Sequence, residues 1–182
     1  MENLLVLGVL AFSLTAAPGQ ARECESDVPQ AEAVLAKVKH MIEIKDVAKI
    51  EVFSIPYHME SPIGVYPELI EQPHRLHPKM PELTEEFLNS LALVVGKTTV
   101  KAGEFLPDLK WSVKIYDNRG EVAAIRIDGK HPRDEHRYGL VNDICVALDT
   151  NLSDWLEANF KPFKNCFEKA ESRSELQKCF SR

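Results

Sequence analysis

Glycine-rich phosphate loops, nucleophile elbows and paired-cysteine zinc spacings are all missing from these 182 residues. The eight glycines are scattered and single, which removes a nucleotide cradle made of consecutive backbone N–H groups. No Gly-x-Ser-x-Gly turn raises a serine for nucleophilic attack, and no His-Glu-x-x-His helix presents a catalytic zinc. No Cys-x-x-Cys pair offers the spacing of a structural zinc site. Positive charge is also short: 22 Lys and Arg face 28 Asp and Glu, a net charge of −6. An acidic chain is poorly suited to nucleic acid or an anionic membrane as its main partner. Internal repeats and low-complexity tracts are absent too. These gaps favour a binding protein over an enzyme, and no cofactor is expected.

What is present begins with an apolar, uncharged run, Leu4 to Ala17, followed by Pro18-Gly19-Gln20-Ala21. At ~1.5 Å per residue the run spans about 21 Å, short of the ~30 Å hydrocarbon core. Small residues at Gly19 and Ala21 fit signal-peptidase cleavage, so residues 1–21 read as a signal peptide. Residues 22–182 then read as one domain, periplasmic or secreted, with no membrane contact after cleavage. The segment before the run, Met1-Glu2-Asn3, lacks the usual Lys or Arg. Glu2 is the one charged residue removed, so the net charge moves from −6 to −5. No cysteine sits at the cleavage point, which argues against a lipoprotein. All four cysteines lie beyond it. An even number in an exported chain predicts two disulfides. Three connectivities are open; Cys166–Cys179 and Cys24–Cys145 are favoured.

The clearest local structure is the hairpin from Trp111 to Asp128. Trp111, Val113 and Ile115 alternate with Ser112, Lys114 and Tyr116, and Ala123, Ile125 and Ile127 alternate with Val122, Ala124 and Arg126. A period of two marks strands with one buried face. A three-residue loop, Asn118-Arg119-Gly120, pairs Ile115 with Ala123, Val113 with Ile125 and Trp111 with Ile127. Two- or four-residue loops slip that register by one, so a three-residue turn with Gly120 in a bulge is predicted. The opposite face carries Lys110, Lys114 and Arg126, with Asp128 across from Lys110. It reads as locally cationic.

Around the hairpin, Asp27 to Ile42 predicts a helix burying Ala31, Val34, Leu35, Val38, Met41 and Ile42, with Asp27 as its cap. Val47 to Ile55 predicts a strand buried on both sides at its end. Tyr57 to Met80 is proline-rich and irregular, with one helical turn possible from Pro67 to Glu71. A second helix is predicted from Pro81 to Val95, stopped by Gly96, and Lys97 to Lys110 reads as a linker. Residues 130–138 read as a polar loop. Gly139 to Leu148 reads as one further strand, interrupted by Asn142. A helix capped by Asn151 or Ser153 carries Trp155, Leu156 and Phe160, and two short helical pieces follow. Consecutive strands without helical crossovers predict an α+β fold, an antiparallel sheet built around the 111–128 hairpin with flanking helices.

Two candidate sites emerge. Lys114, Arg126 and Tyr116 share the polar hairpin face and would meet an acidic partner or anion. The function that fits best is an exported, disulfide-stabilised binding protein, an inhibitor or immunity-type protein acting on another protein. The alternative is a metal-binding protein or metal-assisted enzyme. His74 and His77 in the 58–77 loop would join His131 and His136 in the 131–136 loop as ligands for a metal such as Zn²⁺. Trp111 and Trp155 fall on apolar stripes and read as core.

Overall fold

The computed structural model describes residues 26–55, 64–71, 78–103, 108–129 and 135–160. Helix α1 spans Val28–Glu43, and the Gln30 N–H donates to Asp27 Oδ1 at 3.0 Å. The predicted stripe is buried except for Val34, which is half-buried. Strand β1 (Lys49–Ser54) and the single helical turn α2 (Pro67–Ile70) follow. Helix α3 (Glu85–Lys97) starts four residues later than the apolar spacing suggests. Thr84 decides that start, because its Oγ1 accepts the Phe87 N–H at 3.2 Å. Gly96 does not end the helix; Thr98 does, with its N–H and hydroxyl both turned back on Val94 O.

The supposed linker holds a short strand, β2 (Val100–Ala102). The hairpin is β3 (Leu109–Asp117) and β4 (Gly120–Asp128). All three predicted rungs form: Ile115 with Ala123, Val113 with Ile125, Trp111 with Ile127. The turn differs. Asp117 pairs with Gly120, leaving a two-residue loop, and the extra residue is Val122. The Asp117 carboxylate accepts the N–H groups of Arg119 (2.7 Å) and Gly120 (3.0 Å) and so tightens the loop. The bulge beyond it restores the register that burial of Ile115 demands. Lys110 likewise is an extra residue: Leu109, not Lys110, lies opposite Asp128. Its buried Nζ pairs with Asp108 at 2.9 Å.

The run read as one strand is a second hairpin, β5 (His136–Val141) and β6 (Ile144–Asp149). Asn142 is its turn, at φ +53°, a conformation Asn tolerates better than most residues. The Asn142 side-chain oxygen accepts the Ala124 N–H at 3.0 Å, and the Asn142 N–H donates to Ala124 O at 2.7 Å. Asn142→Gly should therefore lower stability by about 1 kcal/mol, through loss of the side-chain bond. Asn142→Ala should lose about 1 kcal/mol more from the left-handed backbone. Urea midpoints falling in the order wild type, Gly, Ala would bear this out; equal midpoints would refute it.

Helix α4 (Asn151–Asn159) is the last described element, with Thr150 rather than Asn151 or Ser153 at its N-cap position and no side-chain capping bond there; the two helical pieces expected beyond it lie outside the described residues. The fold is α+β. The six described strands form one antiparallel sheet in the order β1-β3-β4-β5-β6-β2. Helices α1, α3 and α4 cover one face, where Ile50, Val52, Trp111, Val113, Ile115, Ile125, Ile127, Val146 and Leu148 meet Leu35, Val38, Leu91, Val95 and Leu156. Trp155, half-buried, packs on Phe87 and donates Nε1–H to Ser90 Oγ at 2.7 Å. No described helix is long and apolar enough to cross a membrane.

Candidate functional site

The second sheet face divides in two. At one end a small apolar cluster joins Phe53, Leu109, Leu140 and Cys145 to Val65 and Ile70 from the α2 segment. Cys145 is fully buried, and no described cysteine is free. Cys24, Cys166 and Cys179 lie outside the described residues, as do His74, His77 and His131.

Beside that cluster the face is polar, and register explains which side chains meet. Directly opposed residues share a face. Lys49 opposes Tyr116, which opposes Glu121; Glu51 opposes Lys114; Ser112 opposes Arg126. Lys114, Arg126 and Tyr116 thus sit together, as the alternation suggested. The charge does not match the expectation. Glu71, directly after α2, reaches the face and closes onto both cations. Arg126 Nε donates to Glu71 Oε1 at 2.6 Å and Nη2 to Oε2 at 3.4 Å. Lys114 Nζ lies 2.8 Å from Glu71 Oε2, and Ser112 Oγ–H donates to Oε1 at 2.7 Å. Lys114 also reaches Glu121 Oε2 at 3.0 Å. Arg126 Nη1 donates to Asn142 O at 2.8 Å. Three cations (Lys49, Lys114, Arg126) meet four carboxylates, Glu51, Glu71, Glu121 and the exposed Asp143 at 3.6 Å from Arg126 Nη1, so the patch carries no excess of positive charge.

The outer part of the network is open to solvent. Glu51 accepts from Lys49 Nζ at 3.0 Å and from Tyr116 Oη–H at 2.7 Å, while Lys49 Nζ lies 4.0 Å from the Tyr116 ring centroid. Comparison with protein-family models, curated proteins and solved structures finds no match. The chemistry of this face rests on its own geometry.

That geometry sets the ionisation of each group. Burial alone would raise Glu71, but hydrogen bonds from Arg126, Lys114 and Ser112 outweigh it and hold the carboxyl below its ordinary 4.5. Burial would raise Glu51 too, and Tyr116 and Lys49 reverse the sign. For Lys114 burial works downward, and Glu71 with Glu121 lifts it above the usual lysine range. Tyr116 rises well above ordinary phenol range, through burial and through donation to Glu51. In a spectrophotometric alkaline titration, Tyr116 should stay protonated at pH 11, and Tyr116→Phe should delete the latest phase. A Tyr116→Phe variant with an unchanged titration would refute this.

His136 opens β5, and its Nε2 lies 3.1 Å from Lys101 Nζ. A metal ion at that nitrogen would have to displace an ammonium group. Among the described residues no group of three His, Cys, Asp or Glu is placed to hold a metal. The residue that sequence reasoning missed is Glu71. It stands 41 positions from Ser112 and 55 from Arg126, in a proline-rich stretch with no periodicity. Its place at the end of a Pro-initiated turn, which also carries Glu68, was its only signal.

Proposed function

We propose that this chain is an exported, disulfide-stabilised binding protein that acts on another protein, as an inhibitor or immunity-type protein does, through the polar face of its sheet. The observation that carries the reading is the network Lys49–Glu51–Tyr116 with Lys114–Glu121, held by internal bonds on a face that α1, α3 and α4 leave to solvent. Side chains already fixed before association lose little entropy on binding, which is where much of the unfavourable free energy of association lies. A tyrosine flanked by charges of both signs suits an amphipathic contact, since Tyr is enriched at interfaces and carries an apolar ring with a polar tip. The apolar leader and the even cysteine count support export and oxidation.

The test is native mass spectrometry of the mature protein recovered from its own source, beside Tyr116→Ala and Glu121→Arg variants of unchanged circular dichroism. A protein-sized mass increment in the wild type that both variants lose supports the reading. A bare wild-type monomer, or an increment that both variants keep, overturns it.

A further inference from the structure

We propose that Ser112, Lys114 and Arg126 form a binding site for a partner's side-chain carboxylate, and that Glu71 fills this site in cis and holds the face closed. This inference rests on the binding-protein reading and deepens it. Four donors from three side chains converge on the two oxygens of one carboxylate: Arg126 Nε and Nη2, Lys114 Nζ and Ser112 Oγ. A bidentate guanidinium with an added ammonium and hydroxyl is the chemistry that recognises a carboxylate.

Two features separate a closed site from an ordinary ion pair. The cations have anchors besides Glu71: Arg126 Nη1 donates to Asn142 O at 2.8 Å and lies 3.6 Å from Asp143 Oδ1, and Lys114 Nζ lies 3.0 Å from Glu121 Oε2. All three donor residues stand on the rigid central hairpin, whereas Glu71 belongs to no strand. It follows a four-residue helical turn that rests on the sheet through Pro67, Ile70 and the Val65–Asp108 bridge. The site is thus built on β3 and β4, and its occupant comes from a separate element that no strand pairing holds in place. Because the occupant is itself a glutamate approaching from the solvent face, an external ligand of the same chemistry is an acidic side chain on a partner. Competition between the two sets when the face is available, since a cis carboxylate acts at high effective concentration.

The probe is acetate, titrated against Glu71→Ala at constant ionic strength with chloride as the reference anion, and followed by thermal melting. Glu71→Ala should melt lower than wild type in chloride. Acetate at ten times its Kd should raise that melting point by about 4 °C, with wild type and Glu71→Ala/Arg126→Met unmoved. If Glu71→Ala does not fold in chloride, recovery of circular dichroism in acetate supports the site equally. No rise and no recovery overturns it. Amidated N-acetylglutamate should then bind Glu71→Ala at least tenfold tighter than N-acetylglycine. Equal or reversed affinities overturn the side-chain assignment. Failure of acetate with the partner increment intact removes the carboxylate site alone. Acetate rescue without any partner overturns the protein-binding reading while leaving the anion site in place.

Discussion

Gly139→Ala is expected to lower stability by about 3 kcal/mol or more, the upper end of what overpacking a well-packed site produces. A Cβ at Gly139 would lie 2.0 Å from the carbonyl oxygen of Arg126 and 3.2 Å from Ile127 Cα. Both are backbone atoms, so no side-chain rotation relieves the overlap. The seam between β4 and β5 must open, and it consists of three rungs, Ile125–Val141, Arg126–Leu140 and Ile127–Gly139. Opening it also moves Asn142 and hence the Arg126 guanidinium. Chemical denaturation should give a midpoint far below wild type or no cooperative transition. A loss under about 1 kcal/mol would mean that the strands slide apart at little cost, contrary to the packing argument.

Arg126→Met is the second large effect. It leaves the Glu71 carboxylate, whose side chain is only 12% exposed, without its bidentate partner. Removing one member of a mostly buried pair should cost about 3 kcal/mol, the low end of the range because Lys114 and Ser112 remain. The pH dependence gives an independent check. Glu71 titrates below 4.5 in the folded chain, so the unfolded chain binds that proton more tightly. The stability this provides is complete above 4.5 and disappears as pH falls through the depressed value. In Arg126→Met the largest of the hydrogen bonds that lower Glu71 is gone, and the loss of stability below pH 4.5 should become shallower. The slope that remains comes from Glu71 still held by Lys114 and Ser112, from Glu51 lowered by Tyr116 and Lys49, and from Asp117 lowered by the Arg119 and Gly120 N–H groups. An unchanged acid limb would show that Arg126 does not set the Glu71 ionisation.

How far the chain could be read in advance follows from range. The α1 stripe and the Asp27 cap are signals within one or two turns, and they reappear in the structure with only Val34 of the stripe less than buried. The β3–β4 rungs were legible because apolar alternation admits one register. The position of the extra residue was not, since Gly120 and Val122 satisfy the same count and only the Asp117 carboxylate selects between them. The Gly139–Leu148 run hid a hairpin because apolar alternation resumes directly after Asn142 and Asp143, so the break at Asn142 reads as one polar position within a strand rather than as a turn. Three-residue β2 is too short to show any period. Among the site residues, the two cations and the tyrosine share local alternation. The residue that neutralises them comes from another element, and nothing local to the hairpin announces it.

The strand order β1-β3-β4-β5-β6-β2 carries a consequence for assembly. Strands β3 to β6 are neighbours both in sequence and in space, so the middle of the sheet can zip up through short loops, the fast kind of contact. Both border strands, β1 and β2, are synthesised before any of the four they must join. A chain emerging from its N-terminus therefore carries two orphan borders and helices α1 and α3 with nothing between them. A fragment ending at Gly103 should form no sheet, whereas the sheet should appear in one step once β6 is made. The second half of the chain is the template, and the first half waits for it.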